Sequence, residues 1–131
     1  MPKTIEIFKR GTQTDSAGNK ITFDDVTLEG ITSFANTGAF KVPGVIGHPK
    51  DNDPAVCWGH SYSYSRETGV LTAEVDETDP AFAEMLTKRM YDKVSASFFG
   101  PNSPANPNPG SFSLRHIGFL GAAAPAVTGL A

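Results

Sequence analysis

"CWGHSYSYSRETGVLTAEVD", residues 57–76, is the stretch whose reading decides the fold. Trp58, His60, Tyr62 and Tyr64 fall on one side of an alternating run and Cys57, Gly59, Ser61 and Ser63 on the other, which is the two-residue period of a strand. "RETG" (66–69) has turn composition, and "VLTAEVD" (70–76) alternates again. The segment therefore predicts an antiparallel hairpin. Its stripe of Trp58, Tyr62 and Tyr64 is expected to pack against a helix in the core, with a substrate groove or a dimer interface as the alternative use.

Working towards the N-terminus, "VIGHP" (45–49) reads as a brief strand that ends at His48, because Pro49 removes a donor and biases the preceding residue towards extended backbone. Leu28, Ile31 and Ala35 repeat at helical spacing, Thr22 with Asp25 resembles a capping box, and Gly38 supplies a stop, so a helix is expected over 23–36. Gly30 inside it costs about 1 kcal/mol relative to alanine. "TIEIFKRG" (4–11), "TQTDSAGNK" (12–20) and the residues after them read as strand, loop and short strand.

Towards the C-terminus, "DPAFAEMLTKRMY" (79–91) opens with Asp79 as cap and Pro80 at the first helical position. Phe82, Met85, Leu86 and Met90 then share one face of an amphipathic helix. "KVSASFF" (93–99) is a strand, "GPNSPANPNPG" (100–110) a loop rich in Pro and Asn, and "SFSLRHIGFLG" (111–121) a last long strand. The expected class is mainly β with flanking helices (α+β). Neither a repeat nor a linker divides the chain, so one domain over 1–131 is expected.

The 131 residues carry a net charge of −3 and a pI of about 5.5, and Lys and Arg do not cluster, which argues against a nucleic-acid partner. Cys57 is the single cysteine and cannot form an internal disulfide, and the N-terminus has no signal-like apolar stretch. An intracellular, reducing setting is expected. No apolar run approaches the roughly 20 residues of a membrane helix, so a soluble protein without a membrane partner is expected.

Two serines, Ser95 and Ser97, alternate on the "KVSASFF" strand, and His48 and His116 lie at a strand end and on the following strand. A serine hydroxyl becomes a nucleophile when a base within hydrogen-bond reach takes its proton and a third group orients that base. A sheet or barrel could bring such residues together. The ordinary reading of each is a solvent-facing or satisfied hydroxyl, a turn histidine and a core imidazole. A metal site built from His48, His60 and His116 with Asp51, Asp53 or Asp76 is the rival, but no pair has ligand spacing. "KDNDPA" also lacks the Gly and Glu of a calcium loop. No metal and no cofactor is expected.

Taken in order, "GHPKDNDPA" (47–55), "DPAFAEML" (79–86), "YDKVSASFF" (91–99), "GSFSLRHIGFLGAAAPAV" (110–127) and "GL" (129–130) closely resemble the Mu-like branch of the phage prohead (capsid maturation) proteases. The resemblance covers roughly residues 3–130. These enzymes look related to the herpesvirus assemblins, so it implies an assemblin-like closed β-barrel of about six to seven strands with two or more helices. It also implies a His-Ser-His triad. The family's first histidine falls on His48, its nucleophile on Ser95 and its third member on His116, where many phage relatives have an acidic residue. "VSASF" fits the nucleophile motif with Ser95 attacking and Ser97 in the small position, which leaves Ser97 as runner-up. An oxyanion hole from backbone N–H groups of Gly121, Ala122, Ala123 and Ala124 follows from assemblin-like order and small residues alone.

The function implied is a serine endopeptidase that processes scaffold and capsid proteins inside a phage procapsid in the host cytoplasm. Its partners would be the scaffolding protein, the major capsid protein and, by analogy with assemblins, a second copy in a homodimer. Enzymes of this branch are often fused to a charged helical scaffolding segment, which the sequence ending at Ala131 does not contain. An isolated protease domain, a natural short form and a self-processed product all fit that ending. Two other functions stay open: a catalytically silent scaffold or capsid-binding module on the same fold, and a metal-dependent hydrolase.

Overall fold

The computed structural model describes residues 3–14, 18–47, 54–76, 79–88 and 93–120. In chain order the elements are β1 (Lys3–Lys9), β2 (Gly11–Thr14), β3 (Lys20–Phe23), α1 (Asp25–Asn36), β4 (Pro43–Ile46), β5 (Cys57–Ser65), β6 (Val70–Asp76), α2 (Pro80–Thr87), β7 (Lys93–Phe99) and β8 (Ser113–Leu120). Among the described residues six strands form one sheet in the order β1-β6-β5-β4-β8-β7, while β2 and β3 pair with each other. Among the described residues every pairing is antiparallel except β4 with β8.

Apolar residues on one face of β1, β5, β6, β7 and β8 form the core around which the sheet coils. Its two edges, β1 and β7, meet through aromatic rings, with Phe8 and Phe98 centroids 4.8 Å apart and edge-on. Phe23, at the end of the β2–β3 hairpin, covers this seam at 4.9 Å from Phe8 and 5.0 Å from Phe98. The result, among the described residues, is a nearly closed six-stranded barrel with two helices, the mainly β fold with flanking helices that was expected. Its interior is filled by residues such as Ile7, Leu71, Val75, Ile117 and Phe119, all fully buried.

Helix α1 lays Leu28, Ile31 and Ala35 on this core. Its cap is Asp24, whose carboxylate accepts the Thr27 N–H at 2.8 Å. Thr22, the expected cap, instead sits in β3 with its hydroxyl 3.0 Å from that of Thr12. The hairpin thus extends too far for Thr22 to cap, and the aspartate next to the helix takes over. Asp25 turns back to accept hydrogen bonds from the Tyr64 hydroxyl and from Arg10, which together hold its carboxyl below the usual range. At the other end Gly38 takes the left-handed φ of +76° and closes the helix as expected. In α2, Asp79 accepts the Phe82 N–H at 3.1 Å, and Phe82 packs edge-on against Phe119 at 4.9 Å. Met90 and the end of the expected helix lie outside the described residues.

The β5–β6 hairpin is present, but its alternation is not continuous. A bulge between Gly59 and Ser61 leaves His60 unpaired and shifts the phase of β5 by one residue. Tyr62 and Tyr64 therefore pair with the buried Ala73 and Leu71 on the core side, whereas Trp58 pairs with Asp76 on the outside under Lys41. The expected single stripe of Trp58, Tyr62 and Tyr64 is corrected accordingly. The physical reason is local: a Cβ on Gly59 would lie 2.0 Å from the Tyr62 hydroxyl, so the ring of Tyr62 occupies the space above this glycine.

Candidate functional site

β7 and β8 run antiparallel, with Ser95 opposite Gly118, Ala96 opposite Ile117 and Ser97 opposite His116. Alternation separates two faces. Val94, Ala96, Phe98, Ile117 and Phe119 look into the barrel, and Ser95, Ser97, His116 and Gly118 share its outer side. Directly opposed side chains start about 5 Å apart and diagonal ones about 7–8 Å. His116 is thus the cross-strand neighbour of Ser97 and the diagonal neighbour of Ser95.

Burial makes this outer face unusual. Ser95 is 3 % exposed and His116 7 %, although both point away from the barrel interior. A hydroxyl and an imidazole removed from water need partners, and such desolvated polar groups are where reactive side chains are found. A bulge between Ser97 and Phe98, which leaves Arg115 without a register partner, interrupts the ladder just beyond them before it resumes at Phe98 and Leu114. Arg115 then lies over the Phe99 ring at 5.5 Å.

The register is held by the loop that joins the two strands. Asn106 is buried, and its amide donates to the carbonyls of Gly100 and Ser111 at 2.9 and 2.7 Å. Its oxygen accepts from the Ser113 hydroxyl at 2.6 Å and the Asn108 N–H at 2.8 Å. A Pro- and Asn-rich stretch that lacks regular structure is nevertheless clamped around one side chain.

On the far side of β8, β4 runs parallel with Val45 beside Gly118 and Ile46 beside Phe119. The Gly47 N–H then bonds the Phe119 carbonyl at 2.9 Å, and Gly47 turns with φ +69°. His48, the next residue, lies outside the described residues, as do Gly121, Ala122, Ala123 and Ala124. The structure thus brings Ser95, Ser97 and His116 onto one face and ends β4 against the glycine opposite Ser95. Gly118 was not singled out from sequence, although an isolated glycine inside an apolar strand is a sign of close backbone approach.

An apolar cleft of ≈ 340 Å³ opens at the seam, lined by Phe8, Ile21, Phe23, Ala96, Ser97, Phe98 and Phe112 among others. It borders the same strand that carries Ser95. The other candidate groups lie elsewhere: His60 projects from its bulge with Nδ1 3.3 Å from Asp76 Oδ2. Among the described residues no three His, Cys, Asp or Glu side chains gather into a metal-binding group. Burial pushes the Cys57 thiol up to about 11. Among the described residues no helix is long and apolar enough to cross a membrane.

No protein-family model matches the chain, and no curated protein sequence matches it. Among solved structures it is similar to the protease of Kaposi's sarcoma-associated herpesvirus, seen in a room-temperature crystal structure with an allosteric inhibitor. The TM-score is 0.50 at 14% identity, over 92% of this chain and 72% of that one. The barrel is assemblin-like.

Proposed function

We propose that this barrel carries a serine endopeptidase of the phage prohead type, which cuts scaffold and capsid proteins through an acyl-enzyme on Ser95. In this reading the Ser95 hydroxyl attacks the scissile carbonyl while His48 takes its proton, and His116 orients His48. The tetrahedral oxyanion is held by backbone N–H groups, for which the segment Gly121 to Ala124 is the candidate. As the C–N bond breaks, His48 returns the proton to the leaving amine, and water releases the acyl group by the reverse sequence. An imidazole as third member cannot offset the charge on the base as a carboxylate would, so the enzyme is expected to be slow.

The observation that carries the reading is a serine almost fully buried on the outer side of a barrel, on the same face as a buried histidine. The resemblance of the sequence motifs to prohead proteases supports the substrate class, the procapsid setting and the capsid and scaffold partners.

Intact-mass spectrometry after treatment with a fluorophosphonate tests the proposal. One adduct is expected on the wild type and on Ser97→Ala, and none on Ser95→Ala or His48→Ala. Absence of an adduct both in the isolated chain and in assembled shells would overturn it in favour of a silent scaffold or capsid-binding module.

A further inference from the structure

We infer that Gly118 is a positioning residue, whose missing side chain lets the end of β4 close on β8 directly across from Ser95; the inference rests on the reading of Ser95 and His48 above. Glycine in a strand interior forgoes packing and loses more chain entropy than other residues, so its presence here calls for a cause. The cause is the space its Cβ would need. An ideal Cβ at Gly118 would lie 2.7 Å from the Gly47 carbonyl oxygen and 3.2 Å from the Ser95 carbonyl oxygen.

Both obstacles are backbone, and neither can swing aside as the end of a side chain can. A methyl group at 118 must lift Gly47 off β8 or part β7 from β8. Either shift alters the spacing between Ser95 and the end of β4. Gly47 directly precedes His48 in the chain, so the segment that Gly118 seats is the one that leads into the proposed base. A misplacement of about 1 Å between reacting groups can lower a rate on the order of 100-fold.

The test uses the full chain with Ser95→Cys, because a thiol reports its surroundings through the pH at which it reacts. A thiol beside an imidazolium forms its thiolate well below the ordinary value of about 8.5. Cys57 does not compete, because its thiol is held at about 11, above the pH range over which the thiol at position 95 is read. His116 and, by alternation, Lys93 also share this face and favour the thiolate, but neither changes between the variants compared.

Iodoacetamide labelling across pH is expected to show a depressed profile for Ser95→Cys. Adding Gly118→Ala is expected to move the profile back towards 8.5, lowering the rate at pH 6 by about tenfold or more. Gly47→Ala probes the same contact from the other side, since its left-handed φ disfavours any side chain while its Cβ would meet nothing within 4 Å. It carries the test alone if Gly118→Ala does not fold. A depressed profile that both substitutions leave unchanged in folded protein would overturn the inference and spare the catalytic reading. An ordinary profile in Ser95→Cys alone would overturn both.

Discussion

The barrel presents two polar outer faces that read alike in sequence and differ in water. On β1, β6 and β5, Thr4, Glu74 and Ser61 form one cross-strand row, and Glu6, Thr72 and Ser63 the next. These side chains are exposed or half-exposed, and Ser61 donates to Glu74 at 2.7 Å. On β7 and β8, Ser95, Ser97 and His116 follow the same alternation, yet Ser95 and His116 are buried. Hydroxyls on a wet face are satisfied by solvent and by one another, and carry no chemistry that needs explaining. A dry hydroxyl on the same face as a dry imidazole must find its partners within the protein, and the contrast marks the second face as the candidate site.

The largest way to break this contrast is to exchange the serines. Ser95→Ala is expected to lower fluorophosphonate labelling at least about 10³-fold, while Ser63→Ala on the wet face leaves it unchanged. Equal losses in both would show that burial does not distinguish the faces. The inner side of the same strand pair should respond in stability instead: Phe119→Ala is expected to cost about 3–5 kcal/mol in urea unfolding. A cost below about 1 kcal/mol would mean that the barrel interior is not packed as described. His116→Ala is expected to lower labelling about 100-fold, and His116→Glu to keep it within about tenfold, because a carboxylate can also orient an imidazole. If both lose labelling alike, the orienting role is wrong.

The smallest effect concerns the helix end beside the wet face. Asp25 is held below the ordinary carboxylate range first by the Tyr64 hydroxyl and then by Arg10. With its folded-state value depressed, it contributes stability that is complete above about pH 4 and fades as the pH falls through the folded value. The melting temperature of the wild type should therefore drop more steeply below pH 4 than that of Asp25→Asn. Parallel acid profiles would remove this contribution.

Much of the architecture was legible. The β5–β6 hairpin, the Asp79 cap and the strands carrying Ser95 and His116 follow from local patterns that tertiary contacts leave undisturbed. The bulge at His60 was not, because "CWGHSYSYS" alternates without interruption and only the ring of Tyr62 over Gly59 breaks the period. Thr22 and Asp24 both have capping chemistry, and the length of the hairpin decided between them. Of the candidate site, the serines and His116 could be named from the resemblance, but their burial could not. Serine on an alternating strand looks the same whether or not something covers it, and the cross-strand register that sets Ser97 opposite His116 depends on the bulge at Arg115.

The parallel ladder between β4 and β8 has a consequence in time. The β5–β6 and β7–β8 hairpins close over short stretches of chain, whereas β4 must wait for β8 to arrive from near the other end. Long-range pairings carry the greater entropic cost and form late. The neighbourhood of Ser95 is then among the last parts of the molecule to be completed, and a partly synthesised or partly folded chain holds its serine on β7 with β4 not yet alongside. In refolding from urea, reactivity at Ser95 should appear after most of the strand signal, so that the protein acquires its shape before its buried serine acquires its surroundings.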